Sequence, residues 1–227
     1  MNWHEFDLRW AGRDVELAQR WLENFFEKPH DGTPQDEYEW HWRAARWHHF
    51  CAMVKGETGP AEVELQRCVE FAKQAQALDG QRVEGHFWHG IALLEIAQPQ
   101  GKIAVAKVLT PAARHLERAM QIDETYQCGA PVRGFGLVHQ MRPFLLGGSL
   151  DRANDCFRRA LQIAPHHSTN LLCYARCLWA DRQPGKAREV CEKLLAAPDD
   201  ALFLCEQRQD RRLATQLLAE INRSRDS

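Results

Sequence analysis

Histidine and cysteine are the residue types through which this chain could most directly do chemistry, and both are numerous. The eleven histidines include His41, His48 and His49 in one predicted helix, and His86 and His89 in another. A zinc site takes three or four such ligands around one ion. The sequence has no HExxH segment, no CxxC pair and no acidic loop that would supply such a set. We therefore assign the histidines to packing and predict no metal and no other cofactor.

The eight cysteines are better explained as small apolar residues than as four disulfides. They lack the dense spacing of a small secreted scaffold, and most fall where a helix needs a small side chain. Cys173 and Cys177 lie four residues apart and could chelate an ion with Cys191, but we interpret all three as packing residues. The spacing of residues along the chain does not indicate any Ser/His/Asp or Cys/His arrangement in which a base would activate a nucleophile. The sequence predicts no catalytic residue, and we expect the protein not to be an enzyme.

Arginines and aromatic residues recur three and four positions apart in four predicted helices, so each set shares one helix face. These residue types anchor peptides and bind carboxylates through paired hydrogen bonds. We predict a ligand or partner site formed by Trp42, Arg43, Arg46, His49, Phe87, Ile91, Arg133, Leu137, Arg176 and Trp179. The alternative is that inserted helices fold over these residues, which then belong to the core. Arg43 lies one residue away from the helix face that the other site residues of its helix share, and it could pair with Glu84 or Glu95.

Composition excludes several classes of partner. The chain has 227 residues and a net charge of −2, with a pI of about 6.6 and a mean hydropathy of −0.52. Nucleic-acid binding is not expected, since it normally needs a basic face. No apolar run reaches the length of a membrane span, and no secretory signal is visible. A cytoplasmic location is expected from this chain, and a periplasmic one if an export signal was removed.

Helical periodicity extends over almost the whole chain, and one pattern repeats four times. A small residue opens each repeat unit at Cys68, Ala112, Ala153 and Ala187, followed at helical spacing by further small and apolar residues. The successive spacings are 44, 41 and 34 residues. The last equals the period of tetratricopeptide (TPR) repeats. The segment RANDCFRRALQIAP, residues 152–165, resembles the second helix of that family most clearly.

A preceding helix in each repeat carries a small residue where two backbones would cross, at Ala45, Gly90, Gly136 and Ala175. The first three repeats have longer connections between these crossing residues and the next helix. We predict an all-α, right-handed superhelix of TPR-like hairpins with extended connections and capping helices. The chain would be a single helical-repeat domain over 1–227. It would have an N-terminal cap within 1–33, with a helix over 14–27, four hairpins over 34–198, and a C-terminal cap over 199–227.

Several further segments give a narrower resemblance. They are WHWRAAR at 40–46, VEGHFWHG at 83–90, a long helix ending in HLERAMQID, APVRGFG at 130–136, and RPFLLGG at 142–148. In order and spacing they resemble the T component associated with TRAP transporters. That family has the forms W-R-x-A-R, E-A-H-F-W-L-G and G-G-P-x-R-x-L-G. The chain departs from it at His89, which replaces a leucine, and at 128–130.

The resemblance implies a binding role without catalysis. Members of that family resemble periplasmic partners of a solute-binding protein, assemble as oligomers, and have a hydrophobic pore or chamber for an apolar ligand. For this chain it implies a protein partner, a hydrophobic or carboxylate-bearing small molecule, or both, and homo-oligomers. The alternative function is that of a cytosolic TPR scaffold that binds a peptide segment of a partner protein.

Overall fold

The computed structural model describes residues 3–13, 16–27, 32–55 and 59–224. In these residues the chain forms α-helices and one short 3-10 helix, Phe144–Leu146, and no strand. The helices are α1 (Trp3–Ala11), α2 (Glu16–Glu27), α3 (Pro34–Lys55), α4 (Gly59–Leu78), α5 (Val83–Ala97), α6 (Lys102–Ile122), α7 (Tyr126–Met141), α8 (Leu150–Ile163), α9 (Ser168–Ala180), α10 (Pro184–Ala196) and α11 (Leu204–Arg223). The all-α, helical-repeat prediction is confirmed.

Consecutive helices pack in pairs, as the repeat pattern predicts. The hairpins are α3–α4, α5–α6, α7–α8 and α9–α10. Contacts divide the chain into two compact units, one of residues 1–10 with 15–124 and the other of 11–14 with 125–227. In unit 1 the α3–α4 hairpin packs on α5–α6, and in unit 2 α7–α8 packs on α9, with α11 against α9 and α10. The organisation of 1–227 as a single domain stays a prediction.

Small residues lie at the centre of each hairpin. Ala45 and Ala175 are fully buried in their helices, as are the small residues predicted to face them from the second helix of each pair. At Gly90 an added Cβ would lie 2.7 Å from Leu116 Cγ, and at Gly136 it would lie 2.9 Å from Phe157 Cε1. The backbones approach closely because these positions carry almost no side chain.

The predicted extra length lies in different places in the three hairpins. In the first, both helices are long, with 22 residues in α3 and 20 in α4, and residues 56–58 lie outside the described part of the chain. In the second, α6 is lengthened to 21 residues. In the third, α7 and α8 are joined by the 3-10 turn at Phe144–Leu146. None of the described helices has the length and apolar character of a membrane span.

An N-terminal helix that the sequence analysis did not predict precedes the expected one. The helix predicted over 14–27 is observed as Glu16–Glu27, while α1 forms from residues that had been assigned to no element. Phe6 of α1 is fully buried, and its ring contacts those of Trp21, Phe25 and Phe26 of α2. Trp3, Phe6 and Trp10 are spaced three and four residues apart, and this helical spacing of aromatic residues could have predicted α1.

Replacing Gly136 by alanine should destabilise unit 2. The new methyl group would be forced against the buried ring of Phe157 and against Cys156 Cβ, 3.0 Å away. Such overpacking costs about 1–3 kcal/mol, which thermal or urea unfolding would measure. Gly185→Ala is the matched control, because a Cβ there meets nothing within 4 Å. Equal stability of the two variants would contradict close packing at Gly136.

Candidate functional site

In unit 1 the predicted arginines of α3 converge on one carboxylate of α1. Arg43 places Nη2 at 3.0 Å from Asp7 Oδ2 and Nε at 3.3 Å from Asp7 Oδ1. Arg46 Nη2 lies 3.4 Å from the same Oδ1. Both arginine side chains are 7% exposed, whereas the Asp7 side chain is 49% exposed. The carboxylate is therefore the solvent-facing partner of two buried cations.

Aromatic rings surround both guanidinium groups. The Arg43 guanidinium lies 4.2 Å from the ring centroid of Trp42 and 4.6 Å from that of Trp3. The Arg46 guanidinium lies 4.0 Å from the centroid of Trp10. Planar guanidinium groups stack favourably on such rings. The structure thus brings Trp42, Arg43 and Arg46 together, and α1 covers them.

Arg43 has a second acidic partner on its own helix. Its Nη1 lies 2.5 Å from Glu39 Oε2, so Arg43 pairs with Asp7 and Glu39 and not with the predicted Glu84 or Glu95. Burial acts to raise the pKa of Glu39, but hydrogen bonds from Arg82, Trp42 and Arg43 outweigh it and lower the pKa. Glu39 is therefore a stable anion that fixes the inner side of Arg43.

The other predicted residues of unit 1 lie in or near the core. Phe87 is 4% exposed and Ile91 is 8% exposed. His49 is partly buried, with Nε2 at 2.9 Å from Glu95 Oε2 and its ring against Trp88. As the structure describes them, Phe87 and Ile91 have little surface to offer a ligand. The assignment of these residues to a site stays a prediction.

A cavity of about 500 Å³ lies between α2, α3 and α4, and no predicted site residue lines it. Its walls include the aromatic rings of Phe26, Trp47, Phe50 and Phe71. Its polar end carries His48, whose Nδ1 lies 2.6 Å from Glu64 Oε2, while Lys55 Nζ lies 2.5 Å from the other oxygen. The cavity combines an aromatic wall with charged groups, which are the paired His48, Lys55 and Glu64 together with Glu23, Arg67 and Glu70.

In unit 2, Arg133 is fixed by a buried asparagine. Its Nη1 donates to Asn170 Oδ1 at 2.6 Å. The Asn170 side-chain amide in turn donates to the carbonyl oxygens of Cys128, at 2.9 Å, and Ala160, at 3.1 Å. Arg133 itself is only half-buried. The sequence analysis missed Asn170, which no spacing pattern indicates.

A strained, non-helical turn lies near the start of α7, four residues before Arg133. Gln127, Cys128 and Gly129 have φ angles of 47°, 60° and 83°, the left-handed region that costs a non-glycine residue about 1–2 kcal/mol. An added Cβ at Gly129 would also lie 3.3 Å from Ala160 Cα. The bond from Asn170 to the Cys128 carbonyl stabilises this turn, so one side chain fixes both the turn and Arg133.

The remaining predicted residues of unit 2 keep exposed surface. Leu137, one helical turn after Arg133, is partly buried against the cluster of Phe157 and Cys177. On α9, Arg176 is exposed and Trp179 is partly buried. We call Arg133, Leu137, Arg176 and Trp179 the α7–α9 surface.

Burial keeps several of the thiols protonated. All eight cysteines are free. Burial raises the pKa of Cys51 and of Cys177 to about 12, and that of Cys191 to about 11. Since the thiolate is the reactive form, these groups are inert near neutral pH and act as packing residues.

Three histidines of unit 1 lie close together. His86 Nε2 donates to the Gly80 carbonyl oxygen at 3.1 Å, and His86 Nδ1 lies 3.3 Å from His115 Nδ1. The rings of His89 and His115 stack with centroids 4.0 Å apart. In the described residues, no group of three or more His, Cys, Asp or Glu side chains could hold a metal ion.

Burial is the main reason why His89 and His115 resist protonation. It lowers the pKa of His89 to about 3 and that of His115 to about 4, with a further contribution from neighbouring positive charges such as that of Lys73. Histidine in an unfolded chain has a pKa of about 6.5. The unfolded chain therefore binds protons before the folded one as the pH falls.

The free energy of unfolding should be fully retained above about pH 6.5 and should decline as the pH falls from there towards about 4. The free energy of unfolding of wild type should fall between about pH 7 and 4.5. In His89→Gln this fall should be smaller by about 2 kcal/mol. Urea unfolding at a series of pH values measures this. His166→Gln, at an exposed histidine, is the control. The prediction is wrong if the two variants lose stability equally.

Comparisons with known proteins agree with this geometry. Residues 41–220 match the family described as the TRAP transporter T-component. No curated protein matches the chain. A thermophilic TPR protein of Thermus thermophilus is 15% identical with a TM-score of 0.52, and the match covers 81% of this chain and all of the other. At this identity the likeness supports the fold alone.

Two further solved structures have lower scores. YrrB, described as a TPR protein with an unusual peptide-binding site, is 17% identical with a TM-score of 0.35, over 76% of this chain and 89% of its own. PilF of Pseudomonas aeruginosa is 16% identical with a TM-score of 0.37. The match covers 84% of this chain and 92% of PilF. These scores are too low to support an argument about this chain. The family match spans most of the sequence and indicates a binding or adaptor role: the chain belongs to the TRAP transporter T-component family.

Proposed function

We propose that the protein is a non-catalytic adaptor whose α7–α9 surface binds a ligand or partner segment that has a carboxylate and an apolar part. The main supporting observation is that Asn170 fixes Arg133 by a 2.6 Å hydrogen bond while Arg133 remains only partly buried. An arginine that is already positioned loses little side-chain entropy when it binds a carboxylate.

The apolar part of the ligand would pack beside this arginine. Leu137 follows Arg133 by one turn on α7, and Trp179 follows Arg176 by about one turn on α9. Tryptophan and arginine are the residue types that most often dominate binding energy. A ligand whose carboxylate meets Arg133 would find the side chain of Leu137 about one turn further along α7.

Membership of the TRAP transporter T-component family supports a partner within a TRAP-type system. We infer that this partner is a TRAP solute-binding protein. Carboxylates on that protein, or on a hydrophobic molecule passed to or from it, would be the groups recognised by Arg133 and Arg176.

The state of the reactive side chains supports a role without catalysis. The buried thiols stay protonated, with the pKa of Cys51 raised to about 12. The histidines with resolved shifts are held neutral, with the pKa of His167 lowered to about 3 by burial and by the charge of Arg133. Affinity would come from shape, apolar burial and arginine contacts.

A second candidate function is that of a TPR scaffold for a peptide segment of a partner protein. It is favoured by the arrangement of the α7–α9 surface along two packed helices. Its residues extend over about one turn, or roughly 5 Å, on each helix. This length suits a short extended segment as well as a compact small molecule.

Arg133→Gln should weaken the complex with the TRAP solute-binding protein of the same genome by about tenfold, because a charge-assisted contact worth about 1.4 kcal/mol is lost. Isothermal titration calorimetry measures the affinity, and native mass spectrometry reports any small molecule carried by the chain. Trp179→Ala tests the apolar part. Arg158→Gln, at an exposed arginine of α8, is the control.

The outcomes separate the candidates. Binding of an isolated peptide segment of a partner, lost in Arg133→Gln, would favour the scaffold. Wild-type protein that binds neither a solute-binding protein nor any small molecule would contradict the adaptor proposal. Equal affinities of Arg133→Gln and Arg158→Gln would exclude Arg133 from the site.

A further inference from the structure

The turn between α7 and α8 carries the most exposed large apolar side chains that the structure describes in unit 2. Phe144, Leu145 and Leu146 are consecutive in the chain and are 86%, 93% and 64% exposed. Single exposed apolar residues are common on protein surfaces, whereas a run of three or more is unfavourable unless it has a function. We call Phe144–Leu146 the apolar turn. Its side chains gain free energy from any surface that removes them from water.

Hydrogen bonds hold the backbone of the apolar turn in one conformation. Leu146 N donates to the Pro143 carbonyl oxygen at 2.9 Å, and Ser149 N donates to the His139 carbonyl oxygen at 3.2 Å. The second bond closes the loop at its base. Because this backbone is already ordered, burial of the three side chains costs little backbone entropy.

A glycine allows the loop to close tightly. A Cβ added to Gly148 would lie 1.8 Å from the Arg142 carbonyl oxygen, so the returning chain passes too close to the outgoing chain for any other residue. The apolar side chains therefore lie at the tip of a closed loop and not in a groove.

Two arginines near the apolar turn supply positive charge. Arg142 is partly buried, and Arg152, in the first turn of α8, is exposed. In the part of the chain that the structure describes, neither guanidinium group has an acidic partner at ion-pair distance. Both lie close enough to the base of the loop that their charges, after burial, lower the pKa of His139.

Two acidic side chains also lie near the loop. Asp151 and Asp181 line the cavity beside it, together with Arg142. Asp181 accepts hydrogen bonds from the side chains of Asn154 and Gln183. Asp151 is exposed, so it is the group that would oppose a negatively charged surface.

The charge of unit 2 as a whole is positive. Residues 125–227 contain fifteen Lys and Arg against eleven Asp and Glu, a net charge of +4. Residues 1–124 contain fourteen against twenty, a net charge of −6. The unit that carries the apolar turn therefore has the sign of charge that anionic lipids attract.

We propose that the apolar turn is a peripheral membrane contact, which inserts into the interface of a bilayer that contains anionic lipids. Phe144, Leu145 and Leu146 enter the boundary between the headgroups and the acyl chains. Arg142 and Arg152 lie against the lipid phosphates. The contact requires no membrane-spanning helix.

The exposure of the tip favours a bilayer over a protein surface. A side chain that is 93% exposed, as Leu145 is, has almost no neighbouring protein wall. A protein partner would have to surround it with a pocket of complementary shape, since well-packed interfaces match protein interiors in density. A fluid bilayer accommodates an inserted side chain without a preformed pocket.

The contact should be weak and reversible. A single myristoyl chain gives only marginal membrane binding, and three side chains insert an apolar part of similar size. Attraction between basic residues and anionic lipids falls off within a Debye length. Binding should therefore depend on both the lipid charge and the salt concentration.

This inference goes beyond the proposed function and can fail separately. The α7–α9 surface includes no residue of the apolar turn. Phe144→Ser/Leu145→Ser should leave the affinity for the solute-binding protein unchanged. A chain that binds no vesicles leaves the adaptor proposal intact.

The test is co-sedimentation of the full chain with sucrose-loaded vesicles. One set contains phosphatidylcholine alone, and the other also contains about 30% phosphatidylglycerol. At low salt we expect the partition coefficient to be about fivefold or more higher for the anionic vesicles. This difference should disappear at about 0.5 M salt. Backbone amides of residues 144–149 should exchange more slowly when anionic vesicles are bound.

Variants separate the apolar part from the charged part. Phe144→Ser/Leu145→Ser should lower the partition coefficient by about tenfold or more, with no change in thermal stability because both side chains are exposed. Leu202→Ser, at a 57% exposed leucine of unit 2, is the control. Arg142→Gln should weaken binding to the anionic vesicles alone by about fivefold, and Asp151→Asn should strengthen it.

Three results would overturn the proposal. They are no binding of wild type to anionic vesicles, equal binding to both vesicle compositions at low salt, and equal partition coefficients of Phe144→Ser/Leu145→Ser and Leu202→Ser. If wild type binds no vesicles and the double variant loses self-association or a protein complex, the apolar turn is a protein contact and the membrane proposal is wrong.

Discussion

Close approach of paired helices at small residues is the constraint on which the rest of this structure depends. At Gly90 and Gly136 there is no space for even one added methyl group, and Ala45 and Ala175 take the same role in the other hairpins. Once two backbones cross at a fixed residue, the 3.6-residue period fixes which side chains face the partner helix and which face outward. The positions of the arginines in both units follow from that contact.

The arginines near the crossing residues have different surroundings in the two units. In unit 1, α1 covers Arg43 and Arg46 and supplies both a carboxylate and aromatic rings. In unit 2, Arg133 is held from within by Asn170 and keeps part of its surface exposed. One repeat pattern therefore yields a closed arginine site and an open one. The difference is a nine-residue helix that lies outside the repeats.

Cysteine and histidine, two residue types associated with catalysis, pack here in the interior of the hairpins. Cys68 and Cys191 occupy the small positions of their hairpins and are fully buried. His89 of α5 and His115 of α6 stack as neutral rings, at the cost of stability in acid. Burial suppresses the charged form of both residue types, so their number in the sequence says little about chemistry.

The sequence by itself determined the helices, their pairing and the crossing residues, because helical periodicity and residue size are local properties that a repeat displays several times. It also placed Trp42, Arg43 and Arg46 together, since they share one helix. It could not determine that Asp7 pairs with these arginines or that Asn170 fixes Arg133, because each partner lies more than 30 residues away and no pattern links them. Only the tertiary structure decided which arginines are covered and which are open. Which arginines are covered depends on how a non-repeating segment packs. Packing between segments that are distant in the chain does not produce a periodic pattern in the sequence.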